Sequence, residues 1–353
     1  MNVNATFNDS LGSPRAMPEA PAYILVLTSV FYSLTFIAGI IGNIFVITVV
    51  FVFKRMQSRM NFFFVNLSIT DMLILFVCMP SATVDLFAKE DWYFGEFMCK
   101  MVHYTENVVT LASVMTIFAI TVDRYRGICH PMMSKGHWTN FRVSVVVIIV
   151  WVLAVLCSLP TFFFPVFKDS RWKDGTPIQV CRIPINEDWK VGYLLGIFTL
   201  FFAVPFFVLA GLIFCMGRAL LWHHNLQEGR ADKDAMYTLR KRRRVVVMLI
   251  LVVVAFFLCL LPQRLVGLWI IYTDRKNLVS LGLEGYLNLV NFTRVMMYIN
   301  SAMNPIIYNC MSTKFRGALK DLCRRRRHYN AISRTNALTL TPVPSSTSCY
   351  CAR

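Results

Sequence analysis

The sequence predicts an all-α membrane protein, a bundle of seven transmembrane helices with an amphipathic stretch after the last. Three observations carry this reading. Hydrophobic residues make up 56% of the 353 residues and charged residues only 16%, whereas a soluble domain runs nearer half and a quarter. The apolar residues fall in seven long blocks, and roughly 20 apolar residues in a helix cross a hydrocarbon core of about 30 Å. Basic residues gather on alternate connections: 24 of the 36 Lys and Arg but 5 of the 19 Asp and Glu lie on one side, against 10 and 12 on the other. The positive-inside rule puts the basic side in the cytoplasm, the N-terminus outside and the C-terminus inside, as in a multi-pass plasma-membrane protein. The net charge of +17 orients the helices and implies no nucleic-acid partner.

Residues 1–22 form the extracellular tail. They hold Pro14, Pro18 and Pro21 and precede an apolar block too long for a cleavable signal core. The sequons at Asn4 and Asn8 lie in this tail, where glycosylation is expected. Asn66-Leu67-Ser68 and Asn291-Phe292-Thr293 match the same pattern inside spans, out of the enzyme's reach. The bundle, 23–310, opens with Tyr23–Phe53. The second span, Phe62–Phe87, carries Asp71 in its middle; an intramembrane carboxylate is expensive and therefore a functional candidate. Helical spacing lets Ser113, Asn300, Ser301 and Asn304 converge on it. Two readings stand level: oxygens suited to a sodium ion, or a watered hydrogen-bond network that only joins helices.

The third span, Phe97–Ile128, is diluted by polar positions and closes on Asp123-Arg124-Tyr125. There the carboxylate and guanidinium either mark the helix end or neutralise one another until Arg124 is released to a partner's carbonyls. Val143–Phe167, Val191–Leu221 and Val245–Tyr272 follow. Pro80, Pro160, Pro205 and Pro262 each remove a helical hydrogen bond and mark bends. The basic run Arg240-Lys241-Arg242-Arg243-Arg244 begins the sixth helix as a solvated, lipid-contacting end. The seventh span, Leu287–Tyr308, is also diluted and ends in Asn304-Pro305-Ile306-Ile307-Tyr308. Pro305 frees a backbone carbonyl, which Asn304 is placed to satisfy. Glu106, Arg264 and Arg294 occupy the outer halves of three spans. They form either a salt-bridged structural cluster or a pocket open to the outside, with Glu106 attracting a cation and the arginines binding carbonyl, carboxylate or amide oxygens.

This topology leaves only Cys99 and Cys181, of eleven cysteines, on the extracellular side. In an oxidising compartment they are expected to pair, tying the third helix to the second outer loop. Residues 311–323 are amphipathic and end at Cys323, a juxtamembrane palmitoylation candidate. Residues 324–353 form the cytoplasmic tail, where Arg324–Arg327 are expected on anionic lipid. Ser345, Ser346, Thr347 and Ser348 are either phosphorylation sites or part of a merely disordered tail.

Over residues 25–323 the ordered motifs resemble those of class A (rhodopsin-like) G protein-coupled receptors. They are Gly42-Asn43, Asn66-Leu67-Ser68 with Asp71, Cys99 through Asp123-Arg124-Tyr125, Trp151, Pro205, Phe256 with Pro262, and Asn304-Pro305 with Tyr308. Lys314-Phe315-Arg316 then resembles the family's short amphipathic eighth helix on the membrane surface. Trp92-Tyr93-Phe94-Gly95 before Cys99-Lys100 is similar to the ghrelin and neuromedin receptors. The stretch Phe256–Arg264 with Leu268–Ile271, and Arg294 leading to Tyr298–Pro305, resemble the ecdysis-triggering hormone and thyrotropin-releasing hormone receptors.

That resemblance implies a receptor, not an enzyme, for a short amidated neuropeptide, with Glu106, Gln263, Arg264 and Arg294 at pocket positions. It implies an outward swing of the sixth helix near Pro262, with Pro305 and Tyr308 in the switch and Arg124 freed from Asp123 to meet a heterotrimeric G protein. Arrestin and a receptor kinase are implied partners of the tail, and no cofactor is implied beyond an allosteric sodium ion. Two positions depart from the pattern. Leu260 stands where most members carry Trp, and Ile213 replaces the Tyr expected eight residues after Pro205. An opsin would need a Lys in the seventh span, and an amine receptor usually needs an Asp where Glu106 stands. A transporter should carry internal repeats, and a membrane enzyme metal-ligand or paired-carboxylate clusters.

Overall fold

The computed structural model describes residues 20–88, 91–130, 140–171, 175–185, 187–227, 233–273, 277, 280–322 and 324. Among these residues seven long helices appear. They are α1 (Ala22–Val52), α2 (Arg59–Phe87), α3 (Gly95–Cys129), α4 (Asn140–Ser158, extended by a 3-10 turn Leu159–Phe163), α5 (Asp188–Phe198, Thr199–Ala203 and Val204–Gln227, continuous), α6 (Lys233–Tyr272) and α7 (Gly282–Met311). A shorter α8 covers 313–322. Asn4, Asn8, Cys323, Arg325–Arg327, Ser345, Ser346, Thr347 and Ser348 lie outside the described residues.

The first six helices are long and apolar enough to cross a membrane. The seventh falls short because its inward face is polar, with Asn291, Thr293, Asn300, Ser301 and Asn304 all buried. The bundle is turned inside out relative to a soluble protein. Val26, Val30, Leu34, Ile37, Ile41 and Ile44 recur every three to four residues on α1 and face outward, while Thr28, Thr35, Gly39 and Asn43 face in. Small and polar residues inside let helices approach closely and hydrogen-bond across the interface. The helices close a ring, α1 on α2 and α7, α7 on α6 and α6 on α5. The third runs through the middle, touching α2, α4, α5 and α6.

Each proline leaves a local signature. Pro80 and Pro205 each follow a π turn, Ile74–Cys78 and Thr199–Ala203, a widening that accommodates a ring the regular helix would clash with. Pro160 sits in the 3-10 turn that ends α4, and Pro262 and Pro305 remain inside α6 and α7. At Pro305 the first helix comes very near. A Cβ at Gly42 would lie 2.7 Å from the proline's Cβ, so glycine is required for that approach.

The fourth span ends at Phe163, short of the predicted Phe167. Pro165 cannot donate to continue the helix, and Val166 begins β1 (Val166–Arg171), antiparallel to β2 (Pro177–Arg182). This hairpin, read from the sequence as loop, turns near Gly175 at φ +90° and lies over the end of the bundle where α3 begins. Trp92 N–H donates to the Gln179 carbonyl at 2.6 Å and Gln179 N–H to the Asp91 carboxylate at 3.0 Å. At the opposite end α6, 40 residues long, reaches about 60 Å, well past a hydrocarbon core, and its extension carries the 240–244 basic run. There α8 tucks Phe315 and Ala318 into the bundle, and Asp321 pairs with Arg55.

Candidate functional site

The bundle holds charge at three levels. At the hairpin end, Cys181 of β2 is disulfide-bonded to Cys99 near the start of α3, with Cα atoms 5.7 Å apart. This joins the hairpin to the helix that supplies Glu106. Lys190 at the start of α5 is buried and donates to Glu187 at 2.8 Å, lying 5.8 Å from the ring of Phe164 and 5.8 Å from that of Trp189. The Lys190 ammonium and Trp189 indole hold the Glu187 carboxyl below its usual range.

Beneath the hairpin, Gln263 of α6 donates to Glu106 of α3 at 2.5 Å, and Arg264 lies within electrostatic reach of the same carboxylate. These three form one cluster between α3 and α6. Arg294 of α7 does not join it by a direct bond: its guanidinium pairs with Asp85 of α2 at 2.7 Å, beside Tyr32 and Tyr298. The charges at the hairpin end therefore split into two sets, Glu106 with Gln263 and Arg264, and Asp85 with Arg294. Asp85 is the residue that sequence reasoning missed. It stands 14 residues beyond Asp71, about four turns along the same helix. His103, one turn before Glu106, is likewise within electrostatic reach of Glu106, Arg294 and Asp85.

At the middle level Asp71 is buried and accepts from Asn304 Nδ2 at 3.0 Å, with Ser301 alongside. Ser113 does not reach the carboxylate with its hydroxyl proton, which goes to Thr70 at 2.9 Å; Asn300 is buried on the same helix. The carbonyl that Pro305 frees is that of Ser301, four residues earlier. The sequence points to Asn304 as its donor, but Asn43 of α1 fills that role, donating at 2.9 Å. Asn304 is thereby left for Asp71. Asn66 ties three helices in the same layer, donating to Thr116 and accepting from Trp151, both at 2.8 Å.

At the far level Arg124 pairs with the adjacent Asp123. It lines a cavity of about 650 Å³ with Arg59, Arg240, Lys241, Arg244 and Lys314, and the described residues around it include no carboxylate. Tyr125 turns aside to His130 at 3.4 Å. Tyr308 is fully buried, stacked on Phe64 at 4.1 Å between ring centroids, and its hydroxyl has no hydrogen-bond partner among the described residues. Ile213, partly buried, offers it none. In the α5–α6 core the ring centroid of Phe257 lies 4.9 Å from that of Phe202, 5.1 Å from Phe206 and 5.4 Å from Phe256. Leu260 is buried in the same core, two residues before Pro262.

Comparison with known proteins agrees with this arrangement. The family described as 7 transmembrane receptor (rhodopsin family) matches residues 42–308. The chain is 32% identical over 317 residues to the growth hormone secretagogue receptor type 1 of Homo sapiens, covering 88% of this chain and 84% of that one. The same receptor of Mustela putorius furo is 32% identical over 316 residues, with the same coverage. The type-1 angiotensin II receptor of Bos taurus is 25% identical over 368 residues, covering 99% of this chain and 97% of its own.

Proposed function

The chain belongs to the rhodopsin family of seven-transmembrane receptors, and from that premise we propose that it answers an extracellular, C-terminally amidated neuropeptide by activating a heterotrimeric G protein. As a member of that family it is a multi-pass membrane receptor and not an enzyme. The observation that carries the ligand class is the outer pair of charged sets. Glu106 has the neutral Gln263 as its hydrogen-bond partner and makes no direct ion pair among the described residues, so beside Arg264 it can still accept a cationic side chain of a ligand. Arg264 and Arg294 supply donors for its carbonyl or amide oxygens. The resemblance of Arg264, Arg294 and their neighbours to receptors of amidated neuropeptides supports the same class.

The proposed mechanism is a population shift. In the resting arrangement Arg124 is held by Asp123 and Arg294 by Asp85. A peptide carbonyl competing for Arg294, with a cationic group at Glu106, favours an arrangement in which α2, α3, α6 and α7 draw together at the outer end. The inner part of α6 then swings outward about Pro262, and Arg124 leaves Asp123 to meet the G protein within the cationic cavity. The basic ends support a cytoplasmic cavity and an extracellular hairpin. A calcium and cyclic-AMP readout in cells expressing the chain, challenged with amidated peptides, tests this reading.

Asp71 is proposed to hold a sodium ion in the resting state, with Ser301, Asn304 and the Ser113–Thr70 pair around it. Sodium then opposes agonist binding, and Asp71→Asn is expected to abolish that sensitivity in a radioligand competition assay. Sodium sensitivity that survives the substitution would assign the cluster to a water network instead.

A further inference from the structure

A second cavity, about 470 Å³, lies between α5 and α6 near their cytoplasmic ends. It is distinct from the Arg124 cavity except that Arg240 lines both. Its walls are apolar, with Leu220 and Leu239 each 8% exposed and Val246 4%. It opens beside Leu221, which is 67% exposed on the outer face of α5. Gly217 lines it, and a Cβ there would meet nothing within 4 Å, so the gap is unfilled space. Arg240 and Arg243 form its rim, both exposed and one turn apart on a single helix face. The described residues lining it include no carboxylate.

Depth decides what fits. Leu221 closes the fifth apolar block and Val245 opens the sixth, so the groove straddles the level at which acyl chains give way to headgroups. We infer that it is a binding site for an anionic phospholipid of the cytoplasmic leaflet. An acyl chain lies along Gly217, Leu220 and Val246, and the headgroup phosphate sits between Arg240 and Arg243. A soluble anion would engage the arginines but leave the apolar walls against water, at the loss of about 0.8 kcal/mol for each methylene not buried. The assignment to the cytoplasmic leaflet, where anionic lipids attract polybasic segments, rests on the orientation proposed above. Because Arg240 also faces the Arg124 cavity, a phosphate bound at the rim draws one cation of that cavity toward the lipid.

The test is native mass spectrometry of the full chain purified in detergent. It is titrated with phosphatidylserine, with phosphatidylcholine of the same acyl chains, and with glycerophosphoserine, the headgroup without chains. Phosphatidylserine is expected to bind more tightly than phosphatidylcholine. Arg243→Gln should weaken phosphatidylserine about fivefold, the worth of one interfacial cation, while Arg243→Lys retains most of the preference. Gly217→Leu leaves every charge in place and should weaken both lipids about fifteenfold, the equivalent of two methylenes at about fourfold each. Three results would overturn the site: equal affinity for the two lipids, wild-type binding by Gly217→Leu, or displacement of phosphatidylserine by glycerophosphoserine. The measurement needs no peptide or G protein, so its outcome is separate from that of the receptor reading.

Discussion

Glu106→Gln is expected to lower the potency of the proposed peptide agonist on the order of a hundredfold while the protein still reaches the cell surface. The substitution keeps volume and an acceptor oxygen, so Gln263 can still donate and the α3–α6 contact at 2.5 Å can persist. What disappears is the negative charge beside Arg264 and the counter-ion for a cationic group of the peptide. Removing one partner of a desolvated, hydrogen-bonded charge pair costs about 2–5 kcal/mol, which spans that factor. A surface-labelling assay run beside the dose–response curve separates binding from folding. Unchanged potency at normal surface expression would remove Glu106 from the pocket. Arg294 is a less clean probe, because its loss also strands Asp85, its partner at 2.7 Å.

Cys99→Ser or Cys181→Ser is expected to reduce surface expression to near background. The bond closes a separation of 82 residues, for which chain entropy alone corresponds to about 4.5 kcal/mol. Insertion of α3, α4 and their connection already restricts that loop, so the loss is smaller than the free-chain value. It falls on a hairpin whose other ties among the described residues include those from Trp92 and Asp91 to Gln179. Without the bond, β2 is free to leave the outer end of α3. The double variant Cys99→Ser/Cys181→Ser should do no worse than either single one, since each single change already removes the whole bond. Two free thiols in mature wild-type protein, detected by alkylation and mass shift, would refute the bridge.

The helices were legible because a bilayer imposes length and apolarity on each span, and α1 satisfies both without interruption. The seventh was legible despite its buried Asn291, Asn300 and Asn304 because flanking apolar residues and the Asn304-Pro305 pair mark it. The hairpin escaped notice because two strands of six residues carry little pattern and take their place from the disulfide and the 91–95 segment. Pairing among charges was less legible than their location. Helical spacing places Arg294 and Glu106 inside the outer bundle, but it does not say that Asp85 lies nearer Arg294. The choice of Asn43 over Asn304 for the Ser301 carbonyl likewise depends on the approach at Gly42, a contact between the first and seventh helices that no local pattern encodes. Leu260 and Ile213 were legible as departures, and their setting gives them meaning. Phe202, Phe206, Phe256 and Phe257 fill the α5–α6 core beside Leu260, and Tyr308 has Phe64 rather than a tyrosine as its resting contact.

The central claim is that an outer charged pocket controls an inner arginine. It is tested most directly by calcium and cyclic-AMP responses of cells expressing wild type or Arg124→Ala. Both are challenged with amidated neuropeptides, including those ending in Pro-Arg-x-amide. At least one peptide is expected to drive a dose-dependent response in wild type that Arg124→Ala loses while surface expression and peptide binding persist. Silence of wild type across the panel would contradict the ligand class, and an equal response from Arg124→Ala would contradict the coupling.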